Sequence, residues 1–294
     1  FKEKESNGIK LELPCGQCMG CRMDKSQEWA VRIMHEASLQ FENSVVTLTY
    51  NDEHLPDQFQ DKTGALIESN ATLDHRHFQA FMKRLRSRIY PKQIKFFMCG
   101  EYGTHELGGI GRPHYHAIIF NHAFGDRELW RTDKGRHYYR SPSLEKLWPF
   151  GHTEIMDVTT ATAAYVARYA LKKITGKKSK EFYSRLSIET GQWLPVKPEY
   201  GQMSLRPAIA SSWYQRFSGD VFPSDTVIMN GRQVRTPNYY LKKLKKEDPK
   251  QYEKIHEKRV EFVTSNWKNN TRERQDAREQ KILAAQNIFK RKLD

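Results

Sequence analysis

The 294-residue chain lacks any apolar run long enough to cross a bilayer, which takes about 18–20 consecutive apolar residues, so no transmembrane helix is expected. Its first residues, Phe1-Lys2-Glu3-Lys4-Glu5, have no apolar stretch of the kind that forms a signal peptide, and no starting Met precedes them, as in a trimmed or partial chain. Cysteine is scarce: there are four, three of them within seven residues, which does not read as a secreted disulfide framework and favours a reducing cytoplasm. There is no Gly-x-x-x-x-Gly-Lys-Ser/Thr phosphate loop, and hence no sign of a nucleotide-driven motor. Internal repeats and low-complexity linkers are also missing. Negative charge is in short supply, with 35 Asp and Glu against 49 Lys and Arg and a net charge of +14. That excess favours a polyanionic partner, usually nucleic acid, although a merely basic protein has the same composition.

The remaining 38% hydrophobic and 12% aromatic residues suffice for a packed core. Asp24 to Gln40 reads as a helix and Val45 to Tyr50 as a β-branched strand. Asp74 caps a predicted helix with Phe78, Phe81, Met82, Leu85 and Ile89 on one side, ended by Pro91. Strands follow at Ile94–Gly100 and Pro113–Phe120, joined as a hairpin. Ser141 opens a short helix, His152–Val158 is a fourth strand, and Thr159 or Thr160 caps another helix. This order predicts an α+β fold of split βαβ type, with an antiparallel sheet of 4–5 strands, two helices on one face and a further helix added. Asn230-Gly231 marks a hairpin between Thr226–Met229 and Arg232–Arg235. The expected organisation is a Cys-rich segment and helix over 1–40, a core over 41–180, an extension over 181–240 and a charged helical tail over 241–294. The tail holds 16 Lys and Arg against 9 Asp and Glu, which suits either a solvated helix or a clamp on DNA.

His114-Tyr115-His116 carries the most chemistry. Two imidazoles two residues apart on a strand share a face, and neutral imidazole is a good ligand for divalent metals. Glu101, at the end of the preceding strand, falls beside them across the hairpin and completes a set for Mn²⁺ or Mg²⁺. Ordinary strand histidines on a hydrogen-bonded face are the alternative. Tyr165 and Tyr169, four apart on a helix, also share a face, and Lys172 lies on the same side. They are either paired nucleophiles or core packing. Arg168, Lys172, Lys173, Lys177, Lys178 and Lys180 form a basic block with no acid before Glu181, as a phosphate-binding edge requires. Arg112 precedes the histidines and is a further DNA-binding candidate. Lys83, Arg84, Arg86, Arg88, Lys92 and Lys95 either touch DNA or form the solvated side of a helix. Cys15, Cys18 and Cys21 have the two-residue gaps of thiolate ligands, but a tetrahedral zinc site would need a fourth ligand such as Cys99 or His35. Three reduced thiols fit equally well.

Taken in order, Pro14-Cys15-Gly16-Gln17-Cys18-Met19-Gly20-Cys21-Arg22, Thr47-Leu48-Thr49-Tyr50, Cys99-Gly100-Glu101-Tyr102-Gly103, Gly111-Arg112-Pro113-His114-Tyr115-His116 and Tyr165-Val166-Ala167-Arg168-Tyr169 resemble the replication initiation proteins of gokushovirus-type microviruses. More broadly the chain looks like a rolling-circle HUH endonuclease over most of 14–240. The resemblance implies metal ligands at His114 and His116 with Glu101 as the third. It implies Tyr165 and Tyr169 as nucleophiles forming a 5′-phosphotyrosine, Lys172 as a phosphate or positioning group, and Thr47–Tyr50 as a core strand beneath the site. It also implies origin DNA as substrate, a host polymerase and helicase as partners, and the host bacterial cytoplasm as location. Two alternatives stand beside it: a non-catalytic nucleic-acid-binding protein with structural zinc, and a related HUH transposase or relaxase.

Overall fold

Val45, Val46, Leu48 and Tyr50 are wholly buried in strand β1 (Asn43–Tyr50), which places this strand in the interior of a sheet. The computed structural model describes residues 2–6, 9–13, 16, 18–56, 58–60, 66–69, 71–104, 110–169, 179–186 and 191–290. The chain divides into two units, Trp29–Trp213 and a second made of Phe1–Glu28 with Tyr214–Asp294.

In the first unit β1 joins β2 (Lys95–Thr104), β3 (Ile110–Phe120), β4 (Glu128–Asp133), β5 (Arg136–Arg140), β6 (Gly151–Met156) and β7 (Tyr200–Met203). They form one antiparallel seven-stranded sheet in the order β7-β2-β3-β1-β6-β5-β4. Its middle, β2-β3-β1-β6, is the strand order of the split βαβ unit. The sheet is larger than the four or five strands expected, because the β4–β5 ribbon extends one edge and β7 the other.

One face carries Val46, Leu48 and Tyr50 of β1, Tyr115, Ala117 and Ile119 of β3, and Met98 and Tyr102 of β2. Against it pack Phe78, Phe81, Met82 and Leu85 of helix α2 (His75–Arg88) and Leu144 and Leu147 of α3 (Pro142–Leu147). Burying each such side chain is worth roughly 1.5–3 kcal/mol. Asp74 caps α2 by accepting the Arg76 N–H at 2.9 Å, and Arg86 and Arg88 complement the dipole of its last turn. Ser141 caps α3 and accepts from Leu144 N, with Pro142 at the first helical position. Tyr115, between the two histidines in sequence, turns to this face. Its hydroxyl donates to Asp74 O at 2.7 Å and lies 2.9 Å from Tyr50 Oη. Burial pushes both phenols far above the ordinary tyrosine range, so they stay neutral.

The opposite face is partly covered by α4 (Thr160–Tyr169), whose Ala163, Val166 and Ala167 are fully buried. From Trp29 onward, α1 (Met19–Ala37) also contributes, with the Trp29 ring 4.9 Å from Phe97. Three of the six cations between Lys83 and Lys95 neither face DNA nor merely solvate a helix. Arg84 donates to Leu147 O, Lys92 pairs with Glu42, and Lys95 pairs with the buried Glu36.

Helix α5 (Ser211–Val221) begins in the first unit and continues into the second. After it, the Asn230-Gly231 hairpin joins Thr226–Met229 to Arg232–Arg235 in the expected register. Helices α6 (Asn238–Glu247), α7 (Pro249–Ser265) and α8 (Arg272–Lys290) follow the hairpin. Tyr240, Leu241 and Leu244 of α6 are buried, the Tyr240 ring 5.3 Å from Tyr214, and Arg259 of α7 pairs with Asp225. Among the described residues, no helix is long and apolar enough to cross a membrane.

Candidate metal centre

Strand alternation puts His114 and His116 of β3 on the face opposite α2, and antiparallel pairing brings Glu101 of β2 directly across from His114. Glu101 Oε1 lies 3.0 Å from Nε2 of His114 and 3.0 Å from Nε2 of His116. Glu101 and His116 are buried and His114 is half-buried. The three donor atoms lie within 4.8 Å of one another and form a group that can hold a metal ion.

The rings are held from behind. His114 Nδ1 is 3.1 Å from the Arg112 carbonyl oxygen, which only accepts, so Nδ1 carries the proton. His116 Nδ1 is 2.9 Å from Thr47 Oγ1 of the neighbouring strand β1. With Nδ1 of His114 committed as a donor, its neutral ring turns an electron pair towards the Glu101 carboxylate. An arrangement of two imidazole nitrogens and a carboxylate oxygen so close together is balanced by a cation, either a proton on a ring or a divalent metal. Burial alone would raise the Glu101 carboxyl. The hydrogen bonds from His114 and His116 and their charge outweigh it and bring its pKa down to about 2, so the carboxylate is anionic at neutral pH. The mixed nitrogen and oxygen set fits a divalent ion intermediate between zinc-like and magnesium-like preference.

Helix α4 brings Tyr165 to this group. Its ring lies 5.2 Å from the His116 ring, edge on at 78°. Tyr169 is the last residue of α4, and its side chain lies outside the described residues. Lys172, Lys173, Lys177 and Lys178 also lie outside them. Arg168 is exposed in the last turn of α4. Arg112 donates to Tyr50 O at 2.9 Å and pairs with Asp52, so it ties the start of β3 to the end of β1. His152 is exposed on β6 opposite Thr49, which itself pairs with His114, so it stands in the same row of the sheet two strands away.

The cysteine cluster is not gathered into a zinc site among the described residues. Cys18 is exposed, Cys21 is half-buried, and Cys15 lies outside those residues. Cys99, considered as a fourth ligand, is buried in β2 opposite His116, and His35 stacks on Trp213. The site residue that sequence reasoning missed is Thr47. Its strand was expected beneath the site, but its hydroxyl reaches the imidazole through pairing of β1 with β3.

A family model for replication-associated protein ORF2 matches residues 43–174, which include all three donors and α4. Replication-associated protein VP4 of Bdellovibrio phage phiMH2K is 29% identical over 82% of this chain and 70% of its own length. Replication-associated protein ORF4 of Chlamydia phage 1 is 30% identical over 82% of this chain and 56% of its own. Replication-associated protein ORF2 of Spiroplasma virus 4 is 30% identical over 81% of this chain and 69% of its own. No solved structure matches the chain significantly. On this similarity, and on a sheet that bears its motifs in one place, the chain belongs to the family of phage replication-associated proteins.

Proposed function

We propose that this protein starts and ends rolling-circle replication of a circular phage genome by nicking and rejoining one DNA strand at the origin. The observation that carries this reading is the Tyr165 ring set 5.2 Å from His116, on the face where Glu101, His114 and His116 converge. Those three residues would hold Mn²⁺ or Mg²⁺, and a divalent ion bound there polarises the non-bridging oxygens of a scissile phosphate. The chain's own part is to bring a phenol into line. The oxygen of Tyr165 or Tyr169 attacks phosphorus, a tyrosyl O–P bond forms, and the bond to the 3′-oxygen breaks. The products are a 5′-phosphotyrosine and a free 3′-hydroxyl, which a host polymerase extends behind a host helicase in the bacterial cytoplasm. The phosphotyrosine keeps the energy of the broken bond, so rejoining needs no ATP. A second phenol permits a second transfer when the origin is regenerated. Lys172 supports the charge on the transferring phosphate, and Arg112, Arg168, Lys173, Lys177 and Lys178 supply cations for the strand's backbone.

The test is incubation with an origin-bearing single strand and Mn²⁺ or Mg²⁺, followed by denaturing gel electrophoresis. A metal-dependent band of protein joined to DNA is expected. Tyr165→Phe and Tyr169→Phe should bind DNA normally while nicking or joining fails. Completion of both steps by the double Phe variant at the wild-type rate would refute the assignment.

A further inference from the structure

Beyond β6 the sheet runs on into the β4–β5 ribbon, and every residue of β4 is exposed. An edge ribbon of this kind has little core to bury, yet it carries Trp130, 47% exposed, with Tyr138 and Tyr139. Residues 127–140 also hold five Lys and Arg against two acids.

The register decides which way these side chains point. Ile155 of β6 faces the α2 side and pairs with Tyr139, so Tyr139 faces that side and Tyr138 and Arg140 face the other. Arg131 pairs with Tyr138 and so joins them, and the pairing slips by one residue between Leu129 and Arg131. The bulge lets Trp130 fall on the same side as its neighbour Arg131, against the usual alternation. Its contacts agree: Trp130 Nε1 donates to Glu154 Oε1 at 3.4 Å, and Arg140 lies 3.7 Å over the indole ring. Arg131 lies 3.8 Å over the Tyr138 ring and pairs with Glu154. Glu154 pairs with Thr47, the residue that holds His116, so the ribbon's aromatic side and the metal donors share one face. From β3 to β4 is four strand spacings, or about 19 Å.

We infer that this side of the β4–β5 ribbon is a stacking subsite for unpaired nucleotides a few positions from the scissile phosphate. Trp130 offers the stacking plane, and Arg131 and Arg140 brace the aromatic rings and supply charge for the phosphates. Planes built from an aromatic ring and a guanidinium accept any base, and cations beside them follow the backbone. The inference rests on the reading above only in taking single-stranded DNA as the substrate.

The test measures binding in EDTA, where no strand is cut, with the full chain and a fluorescein-labelled oligothymidylate. Trp130→Ala should weaken binding about tenfold or more, Trp130→Phe should restore most of it, and a duplex of equal length should bind both variants as it binds wild type. Tryptophan emission of the wild type should be quenched by the oligothymidylate, and that quench should shrink in Trp130→Phe. Unchanged affinity in Trp130→Ala, an equal loss on duplex and single strand in a variant that melts like wild type, or an unchanged quench in Trp130→Phe would each overturn the subsite. Absence of a covalent adduct in the nicking assay would leave these readings standing, so the two ideas fail separately.

Discussion

Thr47 touches no substrate in the proposed chemistry, yet it decides how His116 points. Its hydroxyl, 2.9 Å from Nδ1, fixes the ring so that Nε2 meets Glu101. Thr47→Val keeps the shape of the side chain and removes the hydroxyl. Loss of a ligand's outer partner typically costs about 10–100-fold in metal affinity, and that weakening is expected in a titration with Mn²⁺ followed by electron paramagnetic resonance. Equal affinity in the variant would mean that the sheet alone orients the ring. The donors themselves were legible in the sequence, because strand alternation and a hairpin are local rules that place His114, His116 and Glu101 together. Thr47 was not, because its contact spans 69 residues and depends on which strands pair. The basic run from Lys83 to Lys95 misled for a related reason. Its members look alike in sequence, and only the fold assigns Arg84 to a carbonyl and Lys95 to a buried carboxylate.

The strands and helices with an apolar half were the ones that could be read. β1, β2, β3, β6, α2 and α3 each bury one side, and α2 and α3 also carry Ser or Asp caps. The Asn230-Gly231 hairpin was legible from turn chemistry, since both residues have positive φ, as its tight turn demands. The β4–β5 ribbon had no such signal. Exposed on both sides along β4, it shows no alternation between apolar and polar positions. β7 was missed because its pairing with β2 joins segments far apart in the chain. One element depends on a single glycine. Gly151 begins β6 at φ +151°, where an added Cβ would meet Thr49 O and Asn51 N at 2.4 Å. These are backbone atoms and cannot swing aside. Gly151→Ala should therefore destabilise the protein by about 1–3 kcal/mol or more, seen as a lower melting temperature, and a melt identical to wild type would contradict the close approach.

Considered whole, each of the two units has its own buried residues, and the excess of cations is spread over both. Acid should weaken the fold before any carboxylate titrates. His35 is buried and stacked 3.5 Å from Trp213, and burial brings its pKa from 6.5 down to about 4. His122 is lowered too, first by burial and then by Lys92. Between these limits the unfolded chain binds more protons than the folded one. The stability they contribute is full above about pH 6.5 and is lost as pH falls towards 4, about 3 kcal/mol for His35. Glu101 and Asp74, both held near 2, lose their contribution only below the ordinary carboxylate range. Urea midpoints measured from pH 7.5 to 4.5 should fall across this window, and His35→Phe should flatten the fall. A flat profile in the wild type would show that neither ring resists protonation. A last consequence comes from the origin of the three donors, which all belong to the β2–β3 hairpin, while the phenol arrives on α4. The cation-gripping part is thus a self-contained cassette whose internal spacing is indifferent to how the helix settles. Affinity for the ion and speed of the reaction become separately adjustable, and selection can retune one without disturbing the other.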